Sequence, residues 1–168
     1  MSERFEFTEL SISGLYLIDR KPIEDTRGTF SRFFCAEELK SIGFKGAVAQ
    51  MNFTLTKRKG TVRGMHFQRS PYSEQKIVTC LSGKIFDVAV DLREESTTYL
   101  NWHAEILSET NGRSLFIPEG FAHGFQTLVP NCQLLYIHSE FFTPKAEGGL
   151  SYNDPKLAIK WPEKVAFV

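Results

Sequence analysis

From Gly46 onward, short apolar runs alternate with turn residues at intervals too brief for helices. Residues 47–56 (AVAQMNFTLT) alternate apolar and polar side chains, which is the period of a strand with one buried face. Residues 57–60 (KRKG) turn the chain, and 61–68 (TVRGMHFQ) read as a strand with Gly64 inside it. KIVTCL (76–81) and KIFDVAVDL (84–92) flank a Ser82-Gly83 turn and read as a hairpin. NWHAEILS (101–108) and RSLFIP (113–118) flank Asn111-Gly112, a strong turn signal. FQTLVP (125–130) and CQLLYIHSEFF (132–142) flank Pro130-Asn131 and read as a second hairpin. So many short antiparallel strands must close on each other, and an all-β jelly-roll barrel is expected. One short helix runs from Ala36 towards a stop at Gly43. The 15 phenylalanines suit pleated, half-buried surfaces. Apolar residues on both faces of some strands fit a barrel whose outer face another subunit covers.

A chain of 168 residues is long enough for one domain with its own core. Neither linker nor repeat divides it, so residues 1–168 are expected to form one unit. Twenty Lys+Arg balance twenty Asp+Glu, so no global field draws the protein to nucleic acid or an anionic membrane. Cys35, Cys80 and Cys132 are too far apart for a CxxC site, and an odd, dispersed set argues against a disulfide framework. The opening MSERFEF has no apolar run, and no stretch approaches a membrane span. A cytoplasmic protein is expected.

Two segments could carry chemistry. Gly60-Thr-Val-Arg63-Gly-Met-His66 matches the opening of the first cupin motif, and Gly112-Arg-Ser-Leu-Phe-Ile-Pro118-Glu-Gly120-Phe-Ala-His123 matches the second. Cupins are jelly-roll barrels. A metal-binding cupin has a second histidine two residues after the first; here that position is Gln68, and Glu74 lies late for the acidic ligand. That is a poor divalent-metal site, and no metal or other cofactor is expected. His66 alone reads most simply as a core histidine. Arg63, Lys76 and His123 change the balance, because a barrel interior holding four such groups needs charged partners. An anionic ligand would supply them. Gly64 marks a bulge that would re-aim the side chains around it.

The chain resembles the dTDP-4-dehydrorhamnose 3,5-epimerases and related nucleotide-sugar epimerases from Asp25 to Pro162. The likeness rests on DTRGTF (25–30), QMN (50–52), RGMHFQ (63–68), QKIV (75–78), VAVDLR (88–93), IPEGFAHGF (117–125), LLY (134–136), Thr-Pro…Glu147, YNDP (152–155) and IKWP (159–162), in this order. It implies a cupin fold and a cofactor-free epimerase acting beside the ketone of a nucleotide diphosphate 4-keto-6-deoxysugar. By that likeness His66 is the base, Lys76 stabilises the enolate oxygen and Tyr136 is the acid. Arg63 and His123 would hold phosphate and sugar oxygens, and Gln50 and Asn52 the base or ribose. Arg27 and Phe30 would cross from a partner subunit, with residues 1–45 as a shared arm of a homodimer, and Glu147 would add a polar contact. On residues alone, Tyr136 reads as a core aromatic, and Arg27 and Glu147 as solvated charges.

Three departures accompany the likeness. The family's catalytic histidine usually pairs with an aspartate beyond the Trp-Pro. The chain given ends six residues after Pro162, so either that segment is clipped or another acid serves, with Asp87 and Asp91 as candidates. Arg32 replaces a second acid, and Phe141-Phe142 replace a tyrosine pair. A metal-dependent cupin such as an oxygenase, and a non-catalytic sugar-nucleotide binding module, are the alternatives.

Overall fold

A computed structural model describes residues 3–45 and 47–168; Met1, Ser2 and Gly46, where the strand pattern was expected to begin, lie outside the described residues. The strands in chain order are β1 (Phe5–Glu9), β2 (Tyr16–Arg20), β3 (Ile23–Asp25), β4 (Gly28–Phe30), β5 (Gln50–Thr56), β6 (Val62–Gln68) and β7 (Lys76–Ser82). There follow β8 (Lys84–Asp91), β9 (Trp102–Ser108), β10 (Arg113–Ile117), β11 (Phe121–Thr127), β12 (Cys132–His138) and β13 (Glu147–Gly149). A six-stranded sheet has the order β1-β2-β10-β7-β12-β5, a five-stranded sheet β13-β6-β11-β8-β9, and β3-β4 is a separate hairpin. This is the expected jelly roll. The helix α1 (Ala36–Leu39) continues as one 3-10 turn and stops at Gly43, whose φ of 86° suits a residue without Cβ.

The two expected hairpins are not hairpins. β7 and β8 flank Ser82-Gly83 but lie in different sheets, and so do β11 and β12 around Pro130-Asn131. The turns carry the chain across the sandwich instead of back along one sheet. Gly83 shows why the corner is tight: its φ is 87°, and a Cβ there would lie 2.8 Å from the Cys132 sulfur. Lys76 on β7 therefore lies in the sheet opposite β6.

The pleat sorts the core. Leu17, Val78, Leu115 and Leu134 from one sheet meet Ile85, Ala89, Leu107 and Phe125 from the other. Burying side chains of this size contributes roughly 1.5–3 kcal/mol each before entropy is counted. The chain itself covers part of each outer face. Leu39, Ile42 and Phe44 close over Ile18, Ile77, Phe116 and Ile137. Leu157 and Ile159 close over Met65, Val88, Val90 and Ala122. What stays open is β5, an edge strand, where Met51, Phe53 and Leu55 are 62%, 59% and 42% exposed.

Candidate active site

Inward-facing positions of five strands line a cavity of about 400 Å³. β5 brings Asn52 and Thr54, β6 brings Arg63 and His66, β7 brings Lys76, β11 brings His123, and β12 brings Tyr136 and His138. A smaller adjoining cavity of about 140 Å³ adds Gln50, Phe142 and Glu147 and shares Asn52, His66, Lys76 and His138. The expected catalytic trio and the polar residues named with it thus converge. Arg27 and Phe30 do not. They sit on the β3-β4 hairpin outside their own chain's cavity, where Arg27 pairs with Asp25 at 2.6 Å.

Gly64 explains how Arg63 and His66 both reach the cavity from one strand. The β6-β11 register shifts between His123 and Phe125, opposite Gly64. Gly64 has φ +119°, and a Cβ there would lie 2.6 Å from the Gly124 Cα and 2.7 Å from the His123 carbonyl oxygen. The expected bulge exists, and only glycine fits it. Arg63 is steadied by donating from Nε to the Thr56 hydroxyl at 3.0 Å.

The acids are placed differently from the expectation. Asp87 contacts His123, with Oδ1 2.7 Å from Nε2, and does not touch His66. β11 lies between β6 and β8, so an inward carboxylate on β8 meets the histidine of β11 first. Asp91 is also committed elsewhere, to Arg93, Ser96 and Thr98. Burial pushes the Asp87 carboxyl above its usual range, while His123 and Lys76 pull it back. Its second oxygen is buried without a protein partner.

The cavity shifts His66 and Tyr136 in opposite directions. Desolvation by the cavity walls, aided by Lys76 and His123 and opposed by Glu147, holds His66 below its ordinary 6.5. Its imidazole is therefore neutral at pH 7. Burial, with Asp87 as the next contribution, pushes the Tyr136 phenol well above its ordinary 10.0, so it keeps its proton. The Tyr136 ring lies 6.0 Å from that of His123, edge to face, and 6.0 Å from that of His138, nearly parallel. A neutral imidazole, a protonated phenol and the Lys76 ammonium thus line one cavity.

Gln68 and Glu74, the positions weighed against a metal-binding cupin, are both engaged in the fold. The Gln68 amide donates to the Tyr72 and Phe141 carbonyl oxygens and accepts from the Thr143 N–H. Glu74 holds Lys76 at 2.9 Å and His138 at 2.8 Å. The sequence reading passed over His138. The signal was available: it lies two residues after Tyr136 on a strand, hence on the same face.

A jelly roll with histidines, a lysine and a tyrosine facing one cavity has the architecture of a cupin-type barrel. The comparisons give the family. The model of the dTDP-4-dehydrorhamnose 3,5-epimerases matches residues 9–167. The dTDP-4-dehydrorhamnose 3,5-epimerase of Sinorhizobium fredii is 38% identical over 162 residues, covering 96% of this chain and 83% of the relative. That of Salmonella typhimurium is 39% identical over 153 residues, 90% of this chain and 83% of its own. The crystal structure of the Legionella pneumophila dTDP-6-deoxy-D-glucose-3,5-epimerase in complex with dTDP-4-keto-L-rhamnose superposes with a TM-score of 0.91 at 37% identity, over 98% of this chain and 88% of that one. This chain belongs to the dTDP-4-dehydrorhamnose 3,5-epimerase family.

Proposed function

We propose that this protein is a cofactor-independent isomerase that epimerises C3, C5 or both of a nucleoside diphosphate 4-keto-6-deoxysugar, within deoxysugar biosynthesis. The C4 ketone acidifies the protons on both neighbouring carbons. His66, neutral at pH 7, takes one proton, and the C–H electron pair moves into the enolate with its charge on the C4 oxygen. Lys76 stabilises that oxygen, with a benefit enlarged by the low local dielectric. Tyr136 returns a proton to the carbon from the other face as the enolate collapses to the ketone. Arg63, with its planar fork, and His123, oriented by Asp87, hold phosphate and sugar oxygens. Asn52, Gln50 and Glu147 contribute further polar contacts. The single observation that carries the reading is a neutral imidazole, an ammonium and a protonated phenol facing one cavity.

In this reading a second chain completes the nucleotide side of the cavity. Arg27 and Phe30, the latter 65% exposed, are on a two-stranded hairpin that belongs to neither barrel sheet. A homodimer that exchanges residues 1–45 places them over the partner's cavity, with Phe30 stacking on the base. The three free thiols support a reducing, cytoplasmic setting. No helix of the described residues is long and apolar enough to cross a membrane.

Incubation with a dTDP-4-keto-6-deoxysugar in deuterated water tests the reaction. Solvent deuterium is expected at C3, C5 or both by NMR, and His66→Ala should lower exchange by about 10²–10⁴-fold without loss of fold. Undiminished exchange in that variant removes His66 as the base. Nucleotide-sugar binding with no exchange in the wild type would favour a non-catalytic module, and stoichiometric metal with activity lost on chelation would favour a metal-dependent cupin.

A further inference from the structure

Glu74 and His138 touch the cavity but have no part in the steps above. Lys76 on β7 and His138 on β12 are direct register partners, and Glu74 curls back over both from just before β7. Its Oε1 takes the Lys76 ammonium at 2.9 Å, and its Oε2 faces the His138 Nδ1 at 2.8 Å. All three side chains are nearly buried, at 9%, 9% and 11% exposed. On the other side of the ring, Nε2 of His138 lies 3.4 Å from the Asn52 amide nitrogen.

The donor inventory makes this chain directional. Burial raises the Glu74 carboxyl, but His138 and Lys76 together bring it below its usual range, so it is ionised and only accepts. The proton of a neutral His138 ring must then sit on Nδ1. Nε2 keeps its lone pair and draws the Asn52 N–H, which turns the Asn52 carbonyl oxygen towards the cavity. Lys76, meanwhile, shares its carboxylate with a second donor, which leaves more of the ammonium's field for the ligand.

We infer that Glu74 and His138 are a positioning relay, which fixes the Lys76 ammonium for the reacting oxygen and sets Asn52 to accept a hydrogen bond from a hydroxyl of the substrate. This rests on the proposed epimerase reading, and the test separates the two. Two-bond proton–nitrogen NMR on histidine-labelled wild-type protein, with His138→Phe for assignment, reads the tautomer directly. Nδ1 protonated and Nε2 bare is the expected state; the opposite tautomer overturns the relay whether or not the protein turns over.

Kinetics on a dTDP-4-keto-6-deoxysugar supply the second arm. His138→Asn puts an amide N–H near the place of Nδ1 and should keep kcat within about twofold while KM rises several-fold, because Asn52 alone loses its partner. His138→Phe, which frees Glu74 as well, should lower kcat by about tenfold and raise KM. Glu74→Gln should lower kcat on the same scale. Unchanged kinetics in His138→Phe, or Asn and Phe variants that lose kcat and KM alike in step with their melting temperatures, would mean a merely structural role. Wild-type protein that holds the expected tautomer but shows no turnover leaves the relay's geometry standing and overturns the reaction instead.

Discussion

His66 and Tyr136 start from ordinary pKa values of 6.5 and 10.0 and are driven further apart by one cavity. The imidazole is held below 6.5 by desolvation first, against Glu147 and with help from Lys76, and the phenol above 10.0 by burial. The sign of the pH dependence follows. The base works when unprotonated, so kcat/KM should fall only as pH drops through a value below 6.5. The acid works when protonated, so no basic limb from Tyr136 should appear at or below pH 10.0. A pH profile whose acidic limb lies above 6.5 would contradict the placement of His66. Tyr136→Phe keeps the base and loses the donor. It should therefore slow formation of the inverted product by about 10²–10⁴-fold, while solvent exchange of the proton taken by His66 persists. Equal loss of both in that variant would assign Tyr136 to binding.

At the level of elements, the β6 bulge is what lets two residues three apart serve one cavity. Gly64→Ala would put a methyl 2.6 Å from backbone at a φ of +119°. It should cost about 1–3 kcal/mol, read as a lowered melting temperature, and should displace His66 and His123 together. Normal stability with normal activity would show that the bulge is soft. Strand identity and the bulge were legible because both are local: period-two alternation, turn residues and an isolated glycine. Pairing was not. Ser82-Gly83 and Pro130-Asn131 reverse the chain in a hairpin and in a sandwich corner alike, and only the packing of Val78 and Leu134 against Ile85 and Phe125 decides for the corner. The same blindness made Asp87 a candidate partner for His66 and not for His123, since its partner depends on β11 lying between β6 and β8. β1 and β2 were passed over because FEFTE and YLIDR are only five residues each, though their pairing with each other and with β10 secures them. The inward set Arg63, His66, Lys76, His123 and Tyr136 was readable from the resemblance, whereas the Glu74–His138 contact joins residues 64 apart and needed coordinates.

For the whole molecule, the question is which chain completes which cavity. An edge strand with Met51, Phe53 and Leu55 exposed is a template for association, and Arg27 and Phe30 of the β3-β4 hairpin do not line the cavity that holds His66 and Tyr136. If the arm is exchanged, a damaged arm and a damaged base can be separated onto different subunits. His66→Ala protein has sound arms and dead bases; Arg27→Ala/Phe30→Ala protein has sound bases and failing arms. In a mixed dimer, one cavity combines the sound base of one subunit with the sound arm of the other. Unfolding and refolding the two variants together should therefore restore about a quarter of wild-type activity, because about half the dimers are mixed and each has one intact site. An arm that served its own chain would leave every site in the mixture defective, and the mixture would be no more active than the average of its components. Phe53→Asp in either partner should weaken that recovery by driving the subunits apart, which sedimentation would register as a shift towards monomer.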